Sequence, residues 1–404
     1  MYNFGYMKCI ERVLAGKLEE MAMQFPLVFL TGPRKSGKSI FLISSIPKKF
    51  EYISLCEQAM REFALSDPKG FLNTFSGSVV IDDIHRAPVL IPHIQAKIDE
   101  KGSQKTYVLC GRLDSLMSKR ISQLLCGRAV KLALLPLSLS ELAKAGRLSK
   151  TVNEWMFNGN YPELFSSTTD QQSFFHGYTS DLVEFDIKQE LKIHGLNKFR
   201  RFLAIVAANS GNPINLSKLG EEAAIDTRTV SAWISILEQS YVIFRLPPYR
   251  SNFGNGKRYT KTPKICFYDS GFLCFLLGLT CAEELNFHPM RNRIFETAVI
   301  SEIIKKWRNA GYRPEMYYWR DLDNKEKEID LIEESPKKLR LSGIKLSETA
   351  NEIYAKNLLD CIQMMYATPI RKTLMKQVIY SGDEPSVVND VPYINWKSLG
   401  NGEG

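Results

Sequence analysis

The sequence predicts an α/β protein of several domains, and three observations lead to that fold class. The chain has 404 residues, of which 44% are hydrophobic and 24% charged, values typical of globular proteins of about two to four domains at this length. Short apolar runs alternate with helical stretches through residues 1–145, as in α/β folds. A glycine-rich loop separates one such run from a helical stretch, which is the strand–helix order of a parallel sheet.

Composition also excludes several classes of protein. No uncharged apolar run reaches the roughly 18–20 residues of a membrane span, and the first residues lack the pattern of a signal peptide. The eight cysteines form no CxxC pair and the five histidines have no metal-ligand spacing, so we expect reduced cysteines and no zinc site. These features predict a cytoplasmic protein that makes no membrane contact.

Pattern and composition divide the chain into five segments. Residues 1–145 are predicted to form an α/β core, and residues 146–195 a helical connector. Short helices and a basic hairpin are expected in 196–281, and a helix followed by strands in 285–382. Residues 383–404, with several glycines, are expected to be a loose tail. The strands expected in the core are Leu27–Leu30, Tyr52–Leu55, Val79–Ile81, Tyr107–Leu109 and Val130–Leu134.

A phosphate-binding motif, GxxxxGK[ST], follows the first of these strands. Its glycines let backbone N–H groups turn towards phosphate oxygens, and the helix that follows adds positive potential. Lys38 is expected to reach the β- and γ-phosphates of ATP, and the hydroxyl of Ser39 to bind Mg²⁺. The alternative is a glycine turn with a surface lysine. The residues of the motif are Gly32, Pro33, Arg34, Lys35, Ser36, Gly37, Lys38 and Ser39.

Two carboxylates end the third strand, Val79–Ile81, and complete the expected site. Asp82 is placed to hold Mg²⁺ through water, and Asp83 to polarise the attacking water. An Asp-Asp turn after a buried strand is the alternative. The strand and the phosphate loop together favour a nucleotide site.

With these motifs, the chain resembles a prokaryotic family of AAA-type P-loop ATPases that carry a C-terminal domain of unknown function. The resemblance implies ATP and Mg²⁺ binding and this architecture, and for Arg128 a contact with the γ-phosphate. A surface arginine at the start of a strand is the alternative for Arg128. Besides the loop and the acidic strand, the stretches that carry the resemblance are Leu125–Arg128, Leu135–Leu142, Gly159–Pro162, Lys257–Arg258, Lys261–Lys264, Phe267–Gly271, Phe295–Glu296 and Tyr318–Arg320.

Several departures from the family pattern bear on hydrolysis. The second acid of the strand is usually Glu, whereas Asp83 is one methylene shorter. The next strand usually ends in a small polar sensor of the γ-phosphate, but here reads Leu109–Arg112. His85 stands where a Gln is usual, and Phe185–Asp186 replaces an Arg-Asp pair. Together these changes predict that nucleotide binding is retained while hydrolysis is slow or lost.

A helix-turn-helix pattern marks the third segment. Helices are expected at Leu216–Ala223 and Thr227–Gln239, with Thr227 as N-cap. Strands at Tyr241–Leu246 and near Lys264–Tyr268 would complete a winged helix, which the resemblance also implies. Residues 196–264 hold eleven basic and four acidic residues, so DNA contact through residues 227–264 is one expectation. A protein contact or an ATPase lid is the other.

The fourth segment resembles a restriction-endonuclease-like fold. A helix is expected at Phe295–Trp307, and strands at Met316–Trp319 and Ile329–Ile332. Asp330 and Lys345 match two positions of the Mg²⁺ site of such nucleases, but Gly343 stands where the middle carboxylate belongs. A structural or partner-binding domain is therefore preferred to a nuclease.

The sequence thus predicts a cytoplasmic ATP-binding protein with an AAA-type P-loop core, a helical connector, a winged-helix domain and a restriction-endonuclease-like C-terminal domain. Weak hydrolysis would move the last two domains. The alternatives are a nucleotide-gated DNA- or protein-binding switch without significant turnover, and a Mg²⁺-dependent nuclease. Oligomers are possible for this class, but nothing in the sequence indicates a subunit interface.

Overall fold

A computed structural model describes most of the chain. The described residues are 10–100, 105–112, 127–166, 169–183, 196–249, 260–324, 326–365 and 372–400. Leu125–Cys126, Phe185–Asp186 and Lys257–Arg258, which entered the comparison with the family, lie outside these ranges. Within them, no helix has both the length and the apolar character needed to cross a membrane.

A five-stranded parallel sheet forms the centre of the first domain, in the order β2-β3-β4-β1-β5. The predicted strands are confirmed, with ends shifted by one residue at most. Leu27 and Phe29 pack against one face of the sheet, and Val28 and Leu30 against the other, as expected for parallel strands covered on both sides. The strands are β1 (Leu27–Thr31), β2 (Glu51–Ser54), β3 (Val79–Asp82), β4 (Tyr107–Cys110) and β5 (Ala129–Ala133).

Helices cover both faces of this sheet. On one face, α1 (Leu14–Gln24) and α2 (Lys38–Ser45) contribute buried apolar residues. On the other face lie α3 (Gln58–Ser66), α4 (Pro68–Asn73) and α5 (Leu90–Asp99). The described part of the first domain is therefore a three-layer α/β sandwich with β4 at the centre of its sheet and β1 between β4 and β5.

The connector is helical, as the sequence indicated. After α6 (Leu139–Lys144), which ends the first segment, it contains α7 (Val152–Asn158), α8 (Glu163–Ser166) and α9 (Gln171–Asp181). Capping boxes begin α6 and α7. The hydroxyls of Ser138 and Thr151 accept from the backbone N–H three residues later, and the glutamate at that later position accepts from the backbone N–H of the cap residue. Such caps stabilise short helices by about 1 kcal/mol each.

Three helices and a hairpin follow: α10 (Leu196–Ala208), α11 (Leu216–Ala223), α12 (Thr227–Gln239), and the antiparallel strands β6 (Ile243–Leu246) and β7 (Lys264–Phe267). The predicted ends of α11 and α12 are confirmed. The predicted N-cap was wrong: Asp226, not Thr227, caps α12, because its carboxylate accepts from the N–H groups of Arg228 and Thr229, both at 3.0 Å.

A mixed six-stranded sheet forms the C-terminal domain, in the order β12-β13-β11-β10-β9-β8. Two long helices, α14 and α15, pack on it. The elements before the last two strands are α13 (Ser270–Leu276), α14 (Arg291–Asn309), β8 (Glu315–Arg320), β9 (Glu328–Glu334), β10 (Lys338–Lys345), α15 (Glu352–Met365) and β11 (Thr373–Tyr380).

The stretch expected to be a loose tail is folded in its described part, so that prediction was wrong. β12 (Ser386–Val388) and β13 (Val391–Asn395) join the sheet, and β13 pairs in parallel with β11. A 3₁₀ turn follows at Trp396–Gly400. The indole of Trp396 is 1% exposed and stacks on Trp155 of α7, with ring centroids 4.6 Å apart. Burial of this indole orders the stretch, although its glycine and proline content is typical of a loose tail.

Two stretches that carried the family resemblance meet where the connector contacts α13. The carboxylate of Asp269 caps α13 by accepting from Phe272 N–H at 2.9 Å, and also accepts from Asn160 N–H at 2.8 Å. Gly271 lies so close to Gly159 that a Cβ there would come within 2.5 Å of its backbone. The connector and the later domains consequently share one continuous core.

Candidate functional site

The phosphate loop lies between the carboxyl end of β1 and the amino end of α2. Its turn needs two left-handed residues, Lys35 with φ of 58° and Gly37 with φ of 86°. A Cβ at Gly32 would clash with the carbonyl oxygen of Leu134. The loop therefore depends on glycine, and the N–H groups at the start of α2 point towards an anion bound in it.

Lys38, the first residue of α2, turns back into the loop. Its ammonium donates to the carbonyl oxygens of Gly32, at 3.0 Å, and Pro33, at 2.6 Å. Burial lowers the pKa of Lys38, and the nearby carboxylates of Asp82 and Asp83 oppose that shift. The ammonium is thus a desolvated cation placed among oxygen acceptors, where it attracts phosphate oxygens strongly.

Two carboxylates face the loop from the end of β3. Asp82 is 2% exposed and accepts from the hydroxyl of Tyr52 at 2.9 Å and from the N–H of Asp83 at 2.9 Å. Asp83 has a left-handed backbone, with φ of 56°, and accepts from the thiol of Cys56 at 2.8 Å. Burial, followed by the charge of Asp82, raises the pKa of the buried Cys110 thiol beside them well above its ordinary value.

A histidine and an arginine close the acidic side of the site. Arg112, just after β4, donates through Nε to Nε2 of His85 at 3.4 Å, and Nδ1 of His85 lies 3.8 Å from the carboxylate of Asp83. Burial and the neighbouring cations Arg112 and Arg86 lower the pKa of His85 to about 3. His85 is therefore neutral at physiological pH; it accepts from Arg112 and lies near Asp83 without a hydrogen bond to it.

These groups line a single cavity of about 700 Å³. It brings together the predicted phosphate-loop residues Arg34, Lys35, Gly37, Lys38 and Ser39 with both predicted carboxylates. Its remaining lining residues are Ile40, Asp82, Asp83, His85, Arg86, Gly111, Arg112 and Asp181. Gly32, Pro33 and Ser36 belong to the same loop but do not line the cavity.

The donors at this cavity suit a magnesium ion. Mg²⁺ prefers hard oxygen ligands and usually keeps several waters, with only one or two protein ligands. The hydroxyl of Ser39 and the carboxylate of Asp82 are such donors, and both line the cavity. Ser39 and Asp82 remain the predicted Mg²⁺ ligands, since both offer oxygen donors to the cavity.

Arg128 does not reach this cavity within the chain, which corrects the expectation that it contacts the γ-phosphate there. It precedes β5, where Ala129 pairs with Leu27 at the start of β1. The phosphate loop follows the opposite end of β1, roughly 16 Å away for five residues. The guanidinium of Arg128 is exposed and pairs with Asp99.

Sequence reasoning missed three residues at the site, Tyr52, Cys56 and Arg12. Arg12 is buried and precedes α1; it donates from Nη1 to the carbonyl oxygen of Ser36 at 2.9 Å and from Nε to Glu141 at 3.0 Å. Nothing in local spacing reveals these contacts, since Arg12 and Glu141 are 129 positions apart.

A second polar cluster lies in the C-terminal domain. The predicted pair is present: Lys345 lies 2.9 Å from the carboxylate of Asp330. Gly343 leaves the expected middle carboxylate absent, but Glu296 of α14 and Glu328 of β9 come close instead. Oxygens of these three acids lie within 4.8 Å of one another. Sequence reasoning placed Glu296 on a helix without assigning it to this cluster.

Comparison with known proteins finds matches to family models in three parts of the chain. Residues 24–143 match the family model of an AAA domain, residues 149–283 a domain of unknown function (DUF8612), and residues 291–399 a domain of unknown function (DUF4143).

Two similar proteins carry the description 'uncharacterized protein'. One from Mycobacterium tuberculosis is 25% identical over 326 residues, 80% of this chain and 71% of that protein. Another, from Methanocaldococcus jannaschii, is 21% identical over 367 residues, 78% of this chain and 80% of that protein. Among solved structures, a Walker-type ATPase of Pyrococcus abyssi is similar with a TM-score of 0.43 and 13% identity, covering 65% of this chain and 94% of that one. Because the phosphate loop lies within residues 24–143, which match the AAA family model, the chain carries an AAA-type P-loop ATPase domain. A C-terminal domain of unknown function follows it.

Proposed function

We propose that the first domain binds Mg²⁺-ATP, and that it hydrolyses ATP slowly. The observation that carries the proposal is the placement of Lys38, whose ammonium lies inside the phosphate loop and shares a cavity with Ser39 and Asp82. The loop N–H groups and Lys38 would hold the phosphates, and Ser39 and Asp82 would hold Mg²⁺. The ion would neutralise charge that develops on the phosphates.

The contacts of Asp83 support slow turnover. A general base must reach the water that it activates, but one oxygen of Asp83 accepts from the thiol of Cys56, and the other faces His85. After β4, Gly111 and Arg112 occupy the place of a small polar sensor. The side chain of Arg112 donates to His85. These groups would have to rearrange before a water could be aligned for attack.

A buried polar chain supports transmission of the nucleotide state to the C-terminal domain. Arg12 links Ser36 of the loop to Glu141, whose other oxygen accepts from Ser138 N–H at 2.8 Å. The next N–H, that of Leu139, donates to Glu302 of α14 at 2.6 Å. A movement of the loop would therefore act directly on the helix that carries Glu296.

Nucleotide titration tests the binding proposal. We expect Lys38→Ala to weaken binding of a fluorescent ATP analogue in Mg²⁺ by roughly 10- to 100-fold, because a charge-assisted contact is lost. Lys48→Ala is the matched control, since Lys48 is exposed just beyond α2. Equal affinity of wild type and Lys38→Ala would reject the proposal. Steady-state ATP hydrolysis, measured on the same samples with and without duplex DNA, reports the turnover.

A nucleotide-gated DNA-binding switch is the second candidate. It is favoured by the exposed Arg228 and Ser231 near the start of α12, the end at which such helices meet base edges. Thr229, on the same turn of the helix, is engaged because its hydroxyl donates to Asp226. In a mobility-shift assay we expect Arg228→Ala to weaken duplex binding more than Lys218→Ala on α11. Binding that is absent, or that does not change with salt, would reject this candidate.

A further inference from the structure

The carboxylate cluster of the C-terminal domain contains a lysine from outside that domain. Lys264 is the first residue of β7, and its ammonium lies 2.5 Å from Glu296 and also pairs with Glu328. The side chain is 1% exposed. Its Nζ also lies 4.9 Å from the ring centre of Tyr318 on β8. Lys264 therefore meets acidic groups from both α14 and β9 within a closed space.

The charges of this cluster cancel. Its acids are Glu296, Glu328 and Asp330. Its cations are Lys264, Lys345, which pairs with Asp330 at 2.9 Å, and Arg320, which pairs with Glu328 at 3.3 Å. Three negative and three positive groups leave no net charge to attract a divalent ion. Burial alone would lower the pKa of Lys264, but Glu296 and Glu328 outweigh it and raise that pKa.

We propose that the ammonium of Lys264 takes the place of a metal ion among Glu296, Glu328 and Asp330, and locks the β6–β7 hairpin to the C-terminal domain. The centre is then a metal-free ionic lock rather than the Mg²⁺ site of a nuclease. A divalent ion cannot enter while Lys264 is present, because the ammonium already bridges two of the three carboxylates. This proposal does not depend on nucleotide binding.

The neighbourhood of Lys264 shows why its insertion is fixed. The hydroxyl of Tyr318 donates to the carbonyl oxygen of Thr262 at 2.5 Å, two residues before the lysine. Lys264 itself forms a backbone bridge with Pro213. The backbone is thus held at Lys264 and two residues before it, so packed chain and not a flexible arm directs the ammonium into the cluster.

Manganese binding without nucleotide tests the proposal, because Mn²⁺ can be counted by its electron paramagnetic resonance. We expect the single variant Asp330→Asn to bind the same number of Mn²⁺ ions as the wild-type protein. Lys264→Met should gain one Mn²⁺ site, and the double variant Lys264→Met/Asp330→Asn should lose it. A Mn²⁺ ion in wild type that disappears in Asp330→Asn would overturn the proposal. So would a folded Lys264→Met that gains no site.

Thermal unfolding tests the lock itself. Without Lys264 one buried negative charge is unbalanced, and we expect Lys264→Met to lower the midpoint by roughly 10 °C. Lys372→Met is the matched control, since Lys372 pairs with Glu334 of the same domain in a more exposed position. The double variant Lys264→Met/Glu296→Gln restores the charge balance, so it should recover most of the lost unfolding temperature. It can be measured even if the single variant does not fold. A double variant no more stable than Lys264→Met, or one that also fails to fold, would overturn the lock.

Discussion

The guanidinium of Arg12 lies 2.9 Å from the carbonyl oxygen of Ser36, so a residue before the first helix holds the backbone of the phosphate loop. The same guanidinium donates to Leu135 carbonyl oxygen at 2.5 Å and to Glu141 at 3.0 Å. Three donors of one planar group thereby connect the loop to Leu135, two residues after β5, and to α6. A loop held in advance pays less entropy when it binds a ligand.

Arg12→Lys is expected to destabilise the protein and weaken nucleotide binding together. A lysine has one ammonium and cannot serve three separated acceptors, so buried acceptors lose their hydrogen bonds at a cost of about 1–3 kcal/mol. Urea unfolding and nucleotide titration measure the two effects. Lys17→Met is the control, because Lys17 on α1 forms a partly exposed pair with Glu20 and should cost under about 1 kcal/mol. An Arg12→Lys protein with wild-type stability and affinity would contradict this role.

Asp83→Glu is expected to raise the rate of ATP hydrolysis by roughly tenfold, equivalent to about 1.4 kcal/mol of activation free energy. The additional methylene would carry the carboxylate past the thiol of Cys56 and towards the phosphate loop. A phosphate-release assay at saturating ATP measures the change, and Asp82→Asn, which removes a proposed Mg²⁺ ligand, supplies the inactive reference. No increase would count against Asp83 as the limiting group and would identify Arg112 as the next residue to replace.

Protonation of His85 is expected to destabilise the folded protein in acid. The pKa of His85 is about 3 when folded and about 6.5 when unfolded, so the neutral imidazole contributes stability that is complete above pH 6.5. That stability is lost as the pH falls towards 3, at up to about 1.4 kcal/mol per pH unit.

Urea unfolding between pH 7 and pH 5 tests this dependence. His85→Gln should flatten the decline over that range, since glutamine does not titrate. His176→Gln on α9 controls for the loss of an imidazole elsewhere. Parallel curves for wild type and His85→Gln would show that another group causes the decline.

Trp396→Ala is expected to cost about 3–5 kcal/mol, the usual range for a large aromatic side chain removed from a core. It would expose one face of Trp155 and open a cavity beside Phe295, whose ring centroid lies 6.3 Å from that of Trp155. Chemical denaturation measures the loss. Phe287→Ala is the control because Phe287 is 92% exposed and should change stability by under about 0.5 kcal/mol. Equal effects of the two substitutions would refute the role assigned to Trp396.

Sequence reasoning succeeded where the signal was local. The strands of the first sheet were found because each is a short apolar run between turns, and α11 and α12 because their buried residues recur at helical spacing. The N-cap of α12 was misplaced by one residue because both Asp226 and Thr227 favour such a position. Only backbone geometry distinguishes between them.

The errors came from contacts between distant residues. Arg128 was assigned to the nucleotide because a local motif does not reveal which end of the sheet it occupies. Residues 383–404 were expected to be loose because they contain several glycines. The buried indole of Trp396 and the pairing of β13 with β11 order their described part instead. The joining of Lys264 to Glu296 and Glu328 required three elements to converge, and no spacing along the chain encodes that convergence.

The stacking of Trp396 on Trp155 has a consequence for synthesis of the protein. A nascent chain can complete its first sheet long before the ribosome reaches residue 396, but until then Trp155 lacks its cover. A product cut short before that residue would present an exposed apolar surface next to a finished ATPase domain. Chaperones and proteases recognise such exposed apolar surface. We therefore expect them to distinguish a product that ends before residue 396 from one that contains Trp396.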